Sequence, residues 1–123
     1  MAPQRYDLDD RLVAFAVRVS RLTAAFSPSV VGRHAALQLV RSVTSAAANH
    51  AEAQAAESRR DFVHKLRICL KELREVHTWL RFVRGMELCA GATDAEARGE
   101  CGELIAILAA SIKTARAGMS GDR

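Results

Sequence analysis

The stretch Ser58-Arg-Arg-Asp-Phe-Val-His-Lys-Leu-Arg-Ile-Cys-Leu-Lys-Glu-Leu-Arg-Glu-Val-His-Thr-Trp-Leu-Arg-Phe-Val-Arg-Gly85 decides the fold. Phe62, Leu66, Cys69, Leu73, Val76, Leu80 and Val83 recur in steps of four and three. An α-helix returns a side chain to one face every 3.6 residues, so this spacing is the seam of a bundle helix. Val63, Ile68, Leu70, Trp79 and Phe82 widen the stripe and imply burial on more than one side. Ser58, with Asp61 three residues on, reads as a capping arrangement, and Gly85 as a stop. The reading predicts a helix over about 58–84.

The same logic extends to both sides. Leu8, Leu12, Phe15, Val19, Leu22 and Phe26 predict a first helix over about 8–26. Ser27 and Pro28 then read as a cap and first-turn pair for a second helix, about 28–57, in which Gly32 is tolerated. The alanine-rich end of that helix lets a neighbour approach closely. After a link containing Gly91, Thr93 and Glu96 form a capping-box signature for a fourth helix, about 94–117. Leu104, Ile105, Leu108, Ile112 and Ala115 are its apolar set, and the tail from Gly118 is expected to fray. The predicted architecture is all-α: one domain over residues 1–123, folded as an up-down four-helix bundle. The excess apolar width of the third helix predicts self-association.

Composition narrows the classes. Half of the 123 residues are hydrophobic, which excludes intrinsic disorder, and only 5% are aromatic, which disfavours an all-β fold. No uncharged run, residues 43–51 included, is long enough for a membrane span. The charged N-terminus shows no signal-peptide pattern. Cys69, Cys89 and Cys101 form no CxxC pair and read as reduced thiols of a cytoplasmic protein. His34, His50, His64 and His77 show no metal-ligand spacing and read as exposed or partly buried side chains without a role. No catalytic residue, metal site or cofactor is expected.

Charge placement is the strongest functional signal. Between Ser58 and Gly85 the basic residues outnumber the acids by five, whereas the whole chain carries only +4. Arg60, Arg67, Arg74 and Arg81 recur every seven residues, with His64 and Lys71 between them. With the seam at heptad positions a and d, these fall at b and f, one outward stripe. A solvated face normally mixes signs, and this one contains no acid. Arg60, Arg67, Lys71, Arg74 and Arg81 are therefore the candidate nucleic-acid contacts, made to phosphates rather than to bases. Trp79 is assigned to the core. Asn49 and Glu52 share one face of the second helix. Plain exposure is the simplest reading of this pair; a hydrogen bond across the core or a subunit interface is the alternative.

The run Arg41-Ser-Val-Thr-Ser-Ala-Ala-Ala-Asn-His-Ala-Glu-Ala53 resembles the pattern RxAxSIPxNIAEG, and Asp61-Phe62 through Ile68 to Glu75 resembles a second block, (E/D)-F-x-x-x-L-x-I-A with a closing glutamate. Leu70-Lys-Glu-Leu-Arg-Glu-Val-His-Thr-Trp-Leu80 is similar to its LKExxETxxWL variant. These patterns belong to four-helix-bundle proteins first recognised as reading frames inside intervening sequences of bacterial 23S ribosomal RNA genes. The accessory variability protein of diversity-generating retroelements is a relative. Arg41, Ser45, Asn49, Glu52 and Glu75 match the recurrent polar positions and Trp79 the aromatic one. Ala47 stands where the pattern has Pro, Ala53 where it has Gly, and Lys71-Glu72 where it has Gly-Ser. The resemblance implies a non-catalytic cytosolic bundle that assembles into a ring-like homo-oligomer, typically a pentamer. In the retroelement relatives it implies a basic barrel that associates with a reverse transcriptase and with nucleic acid. Two functions follow as expectations: an oligomeric nucleic-acid-binding module, or a structural, protein-interaction oligomer.

Overall fold

The computed structural model describes residues 4–89 and 93–121, with side chains over 8–89 and 93–119. Four long helices form, α1 (Gln4–Leu22), α2 (Val30–Gln54), α3 (Arg59–Gly85) and α4 (Thr93–Gly121), and no strand occurs among the described residues. Each helix packs on its chain neighbours and α1 closes the bundle against α4, while the diagonal pairs make no close backbone contact. Side-chain pairs give the directions. Ser42 meets Glu75 and Glu52 meets Lys65, so α2 and α3 run antiparallel. Arg11 meets Glu100 and Arg18 meets Glu96, so α1 and α4 do too.

The seams lie where the periodicity puts them. On α3, Leu66, Cys69, Leu73, Val76, Leu80 and Val83 are buried; at its start Val63 is the buried residue and Phe62 only half-buried. Leu12, Phe15, Val19, Leu22 and Phe26 are buried on the first segment, with Leu8 half-buried. On α4 the core set is Ala97, Cys101, Leu104, Leu108, Ile112 and Ala115, with Ile105 partly buried beside it. None of the described helices is long and apolar enough to cross a membrane.

The ends depart from the expectation, each for a local reason. The first helix stops at Leu22, and a 3-10 turn over Thr23–Ala25 carries the chain to Phe26. Ser29, not Ser27, caps α2: its Oγ accepts from the Gly32 amide at 3.0 Å. Gly32 is more than tolerated here. The Ser27 carbonyl oxygen sits where a Cβ would be, so a larger residue would have to push the turn aside. Helix α2 ends at Gln54, three residues early, and Ser58 caps α3 as expected by accepting from the Asp61 amide at 3.0 Å.

Gly85 closes α3, but the left-handed residue beyond it is Glu87, at φ 53°. Leu88 N–H donates to Val83 O and Glu87 N–H to Arg84 O, the paired bonds of a Schellman cap, with Leu88 and Val83 both buried. The Ser27 amide also donates to Leu88 O at 3.0 Å, which ties the α1–α2 turn to the α3–α4 turn. Helix α4 starts at Thr93 itself and continues through Gly118 to Gly121, beyond the expected fraying point. Gly91, expected in the link, lies outside the described residues.

Candidate nucleic-acid interface

The heptad geometry of α3 places its buried seam inward and the b and f positions outward. Arg60, His64, Arg67, Lys71, Arg74 and Arg81 are all exposed. Among the described residues, none of Arg60, Arg67, Lys71, Arg74 and Arg81 forms an ion pair or hydrogen bond. Several basic residues elsewhere are paired with carboxylates. Arg11 makes a forked contact with Glu100, at 3.0 and 2.7 Å, and reaches Glu103 at 3.1 Å. Its hydrogen bond with Glu100 raises the guanidinium pKa further. Arg18 holds Glu96 at 2.9 Å, and Lys65, one turn off the stripe, holds Glu52 at 2.8 Å. The Glu52 contact likewise raises the Lys65 ammonium pKa. Part of the α1–α4 face is thus paired internally, although Arg21, Lys113 and Arg116 there have no carboxylate partner among the described residues. What sets the α3 stripe apart is the alignment of its unpaired cations along one helix.

The matched polar positions converge on the α2–α3 groove beside this stripe, with one exception. Ser42 Oγ donates to Glu75 Oε1 at 3.2 Å, and Ser45 Oγ to Glu72 Oε2 at 3.2 Å. Asn49 is half-buried and donates through Nδ2 to Ser45 O at 2.9 Å and to Ser45 Oγ at 3.2 Å. It bonds within its own helix, not across the core, and acts on α3 only through Ser45. Glu52 is exposed and pairs with Lys65. Arg41 is the exception; it is exposed, and its guanidinium donates to Gln38 Oε1 of its own helix at 2.7 Å. Ser42 is a member of this ladder that the sequence did not single out, and Glu72 was marked there only as a departure from the family pattern. Their sequence separations from their partners, 27 and 33 residues, leave no local signal.

Two side chains sit elsewhere than expected. His50, read as exposed or partly buried and without a role, is only 2% exposed, and its Nδ1 lies 2.8 Å from Asp9 Oδ1 on α1. Trp79 is not enclosed in the core. It is half-buried beside the stripe, near-perpendicular to His34 of α2 and to Phe82, with ring centroids 5.4 Å apart in both pairs. Phe82 is itself 39% exposed. A groove of about 380 Å³ opens there, lined by Lys71, Arg74, Glu75, Thr78 and Trp79.

The remaining reactive groups do not gather. Burial pushes the Cys69 and Cys101 thiols up to about 12, so neither is a nucleophile near neutrality. Cys101 Sγ donates to Leu73 O at 3.3 Å within the core. Among the described residues no cluster of His, Cys, Asp and Glu could hold a metal ion. Asp94 is buried in the first turn of α4, where a helix N-terminus favours negative charge, with Arg98 Nε at 3.8 Å.

The sequence pattern of the 23S rRNA-intervening sequence proteins matches residues 7–111. The chain belongs to that family. A crystal structure from Bacteroides thetaiotaomicron, described as a protein of unknown function from the S23 ribosomal protein family, is similar to this intervening-sequence protein. The two are 32% identical with a TM-score of 0.76, over 86% of this chain and 98% of the other. No curated protein matches. The expected family is therefore shown, and with it the bundle.

Proposed function

We propose that this intervening-sequence protein is a non-enzymatic, oligomeric module that binds nucleic acid through phosphates along α3. The observation that carries the reading is the row of exposed cations without carboxylate partners, Arg60, Arg67, Lys71, Arg74 and Arg81. Seven residues of helix advance about 10.5 Å, so Arg60 to Arg81 spans about 32 Å, long enough to follow several phosphates. Long, flexible cations meeting phosphates release condensed counterions, which makes binding salt-dependent and indifferent to sequence. Assembly of several copies would multiply the modest net charge of +4 into a strong field. By family resemblance, the protein partner to test first is the reverse transcriptase of a diversity-generating retroelement.

Fluorescence anisotropy with labelled RNA and DNA at several salt concentrations tests the reading. Log affinity should fall by about 0.7–0.9 per phosphate contacted for each decade of salt. Changing Arg67 and Arg74 together to Glu should abolish binding without altering helicity. Absence of binding by the unaltered protein at low salt would leave the second reading, a protein-interaction oligomer. That reading draws on apolar side chains exposed at one end of the α2–α3 face: Val30 at 74%, Leu37 at 64% and Met86 at 49%.

A further inference from the structure

We infer that the groove beside Trp79 seats an unpaired nucleobase, so that the α3 stripe takes single-stranded nucleic acid in preference to duplex. The inference rests on the nucleic-acid reading above and specifies the form of the ligand. Lys71, Arg74, Glu75 and Thr78 fall at i, i+3, i+4 and i+7 on one face of α3 and, with Trp79, line a concavity of about 380 Å³. That volume lies near the small end of the range of about 300–1,000 Å³ usual for ligand sites. Two of the lining residues, Lys71 and Arg74, belong to the unpaired stripe, and Arg81 follows one helical turn beyond Thr78.

The chemistry of the lining selects a base over a phosphate. Glu75 is fixed in place by Ser42, which donates to its Oε1 at 3.2 Å. Its carboxylate repels a phosphate from the groove but accepts a hydrogen bond from a base N–H, which every nucleobase can offer. The phosphates on either side of that base then fall to Lys71, Arg74 and Arg81. Trp79 supplies the apolar, polarisable wall, backed by Phe82 and His34. Base–aromatic stacking is tolerant of base identity because every base has a π-face, consistent with cations that read no sequence. Within a duplex the bases are already stacked and paired, so a double strand meets the stripe with its phosphates alone.

The experiment uses the sole tryptophan of the chain as its reporter. Indole emission and anisotropy are followed together as the protein is titrated with four labelled probes. These are single strands of about 16 nucleotides, as RNA and as DNA, the same DNA strand made abasic, and the corresponding duplex. Base-bearing single strands should change the Trp79 emission in step with binding. They should also bind about 5- to 150-fold more tightly than the abasic strand, the span that stacking of one base supplies. In Trp79→Leu, checked for an unchanged helical spectrum, that ratio should collapse towards one. If this variant does not fold, Trp79→Phe should retain part of the ratio, and the abasic comparison on the unaltered protein decides by itself. Equal binding of abasic and base-bearing strands with unchanged emission would overturn the inference and leave the phosphate reading standing. Failure of every probe to bind at low salt would overturn both.

Discussion

Leu73 has no exposed surface and lies midway along the α3 seam, where its carbonyl also receives the Cys101 thiol. Leu73→Ala should cost about 2–5 kcal/mol, read from the denaturant midpoint, because the surrounding helices can only partly close on the space. The seam was legible residue by residue, since a 3.6-residue period is a local property of the chain. The Asp9–His50 pair was not, because its members lie 41 residues apart and meet only once α1 and α2 are docked. The buried thiols make a second prediction. In the unfolded chain Cys69 ionises near 9.0, whereas in the fold burial holds it to about 12. Between these values the unfolded chain releases a proton that the fold retains, so the thiol's contribution is intact below about pH 9 and is lost as pH rises towards 12. The slope approaches about 1.4 kcal/mol per pH unit for each such thiol. Denaturation at about pH 8 and pH 10 should therefore show a larger loss in the unaltered protein than in Cys69→Ala.

Between α2 and α3 the polar ladder has the form of a relay: Asn49 fixes the Ser45 hydroxyl, and that hydroxyl reaches Glu72. The two α2 residues share one atom, so their contributions should not add. Asn49→Ala and Ser45→Ala should each destabilise by about 0.5–1.5 kcal/mol, and the double variant by less than the sum. A coupling of at least about 0.5 kcal/mol in thermal unfolding is the expected outcome. Element existence and type were legible because the apolar stripes are long. The ends were less so: Ser27-Pro28 has the composition of a helix start, yet the cap is Ser29, because the turn needs Gly32 against the Ser27 carbonyl. Of the candidate interface, the stripe was readable from its sevenfold spacing. The groove was not, since Trp79 has a core-like position in sequence and is held half-exposed by partners on two elements.

At the scale of the whole molecule, a bundle that leaves Val30, Leu37, Phe82 and Met86 exposed has apolar surface to bury. Light scattering should return a mass several times 13.4 kDa, and a monomer at micromolar concentration would remove the oligomer from the proposal. The backbone bond between Ser27 and Leu88 has a mechanical consequence. It clasps the two turns at one end of the bundle, whereas Gln4 and Gly121 both lie at the opposite end, the outer tips of antiparallel helices. Tension applied between those tips loads the α1–α4 contacts in succession, one helical turn at a time. It never shears the whole interface at once. The α1–α4 seam would peel open like a zip, with little resistance, until the opening reached the clasp, while α2 and α3 stay joined by their ladder.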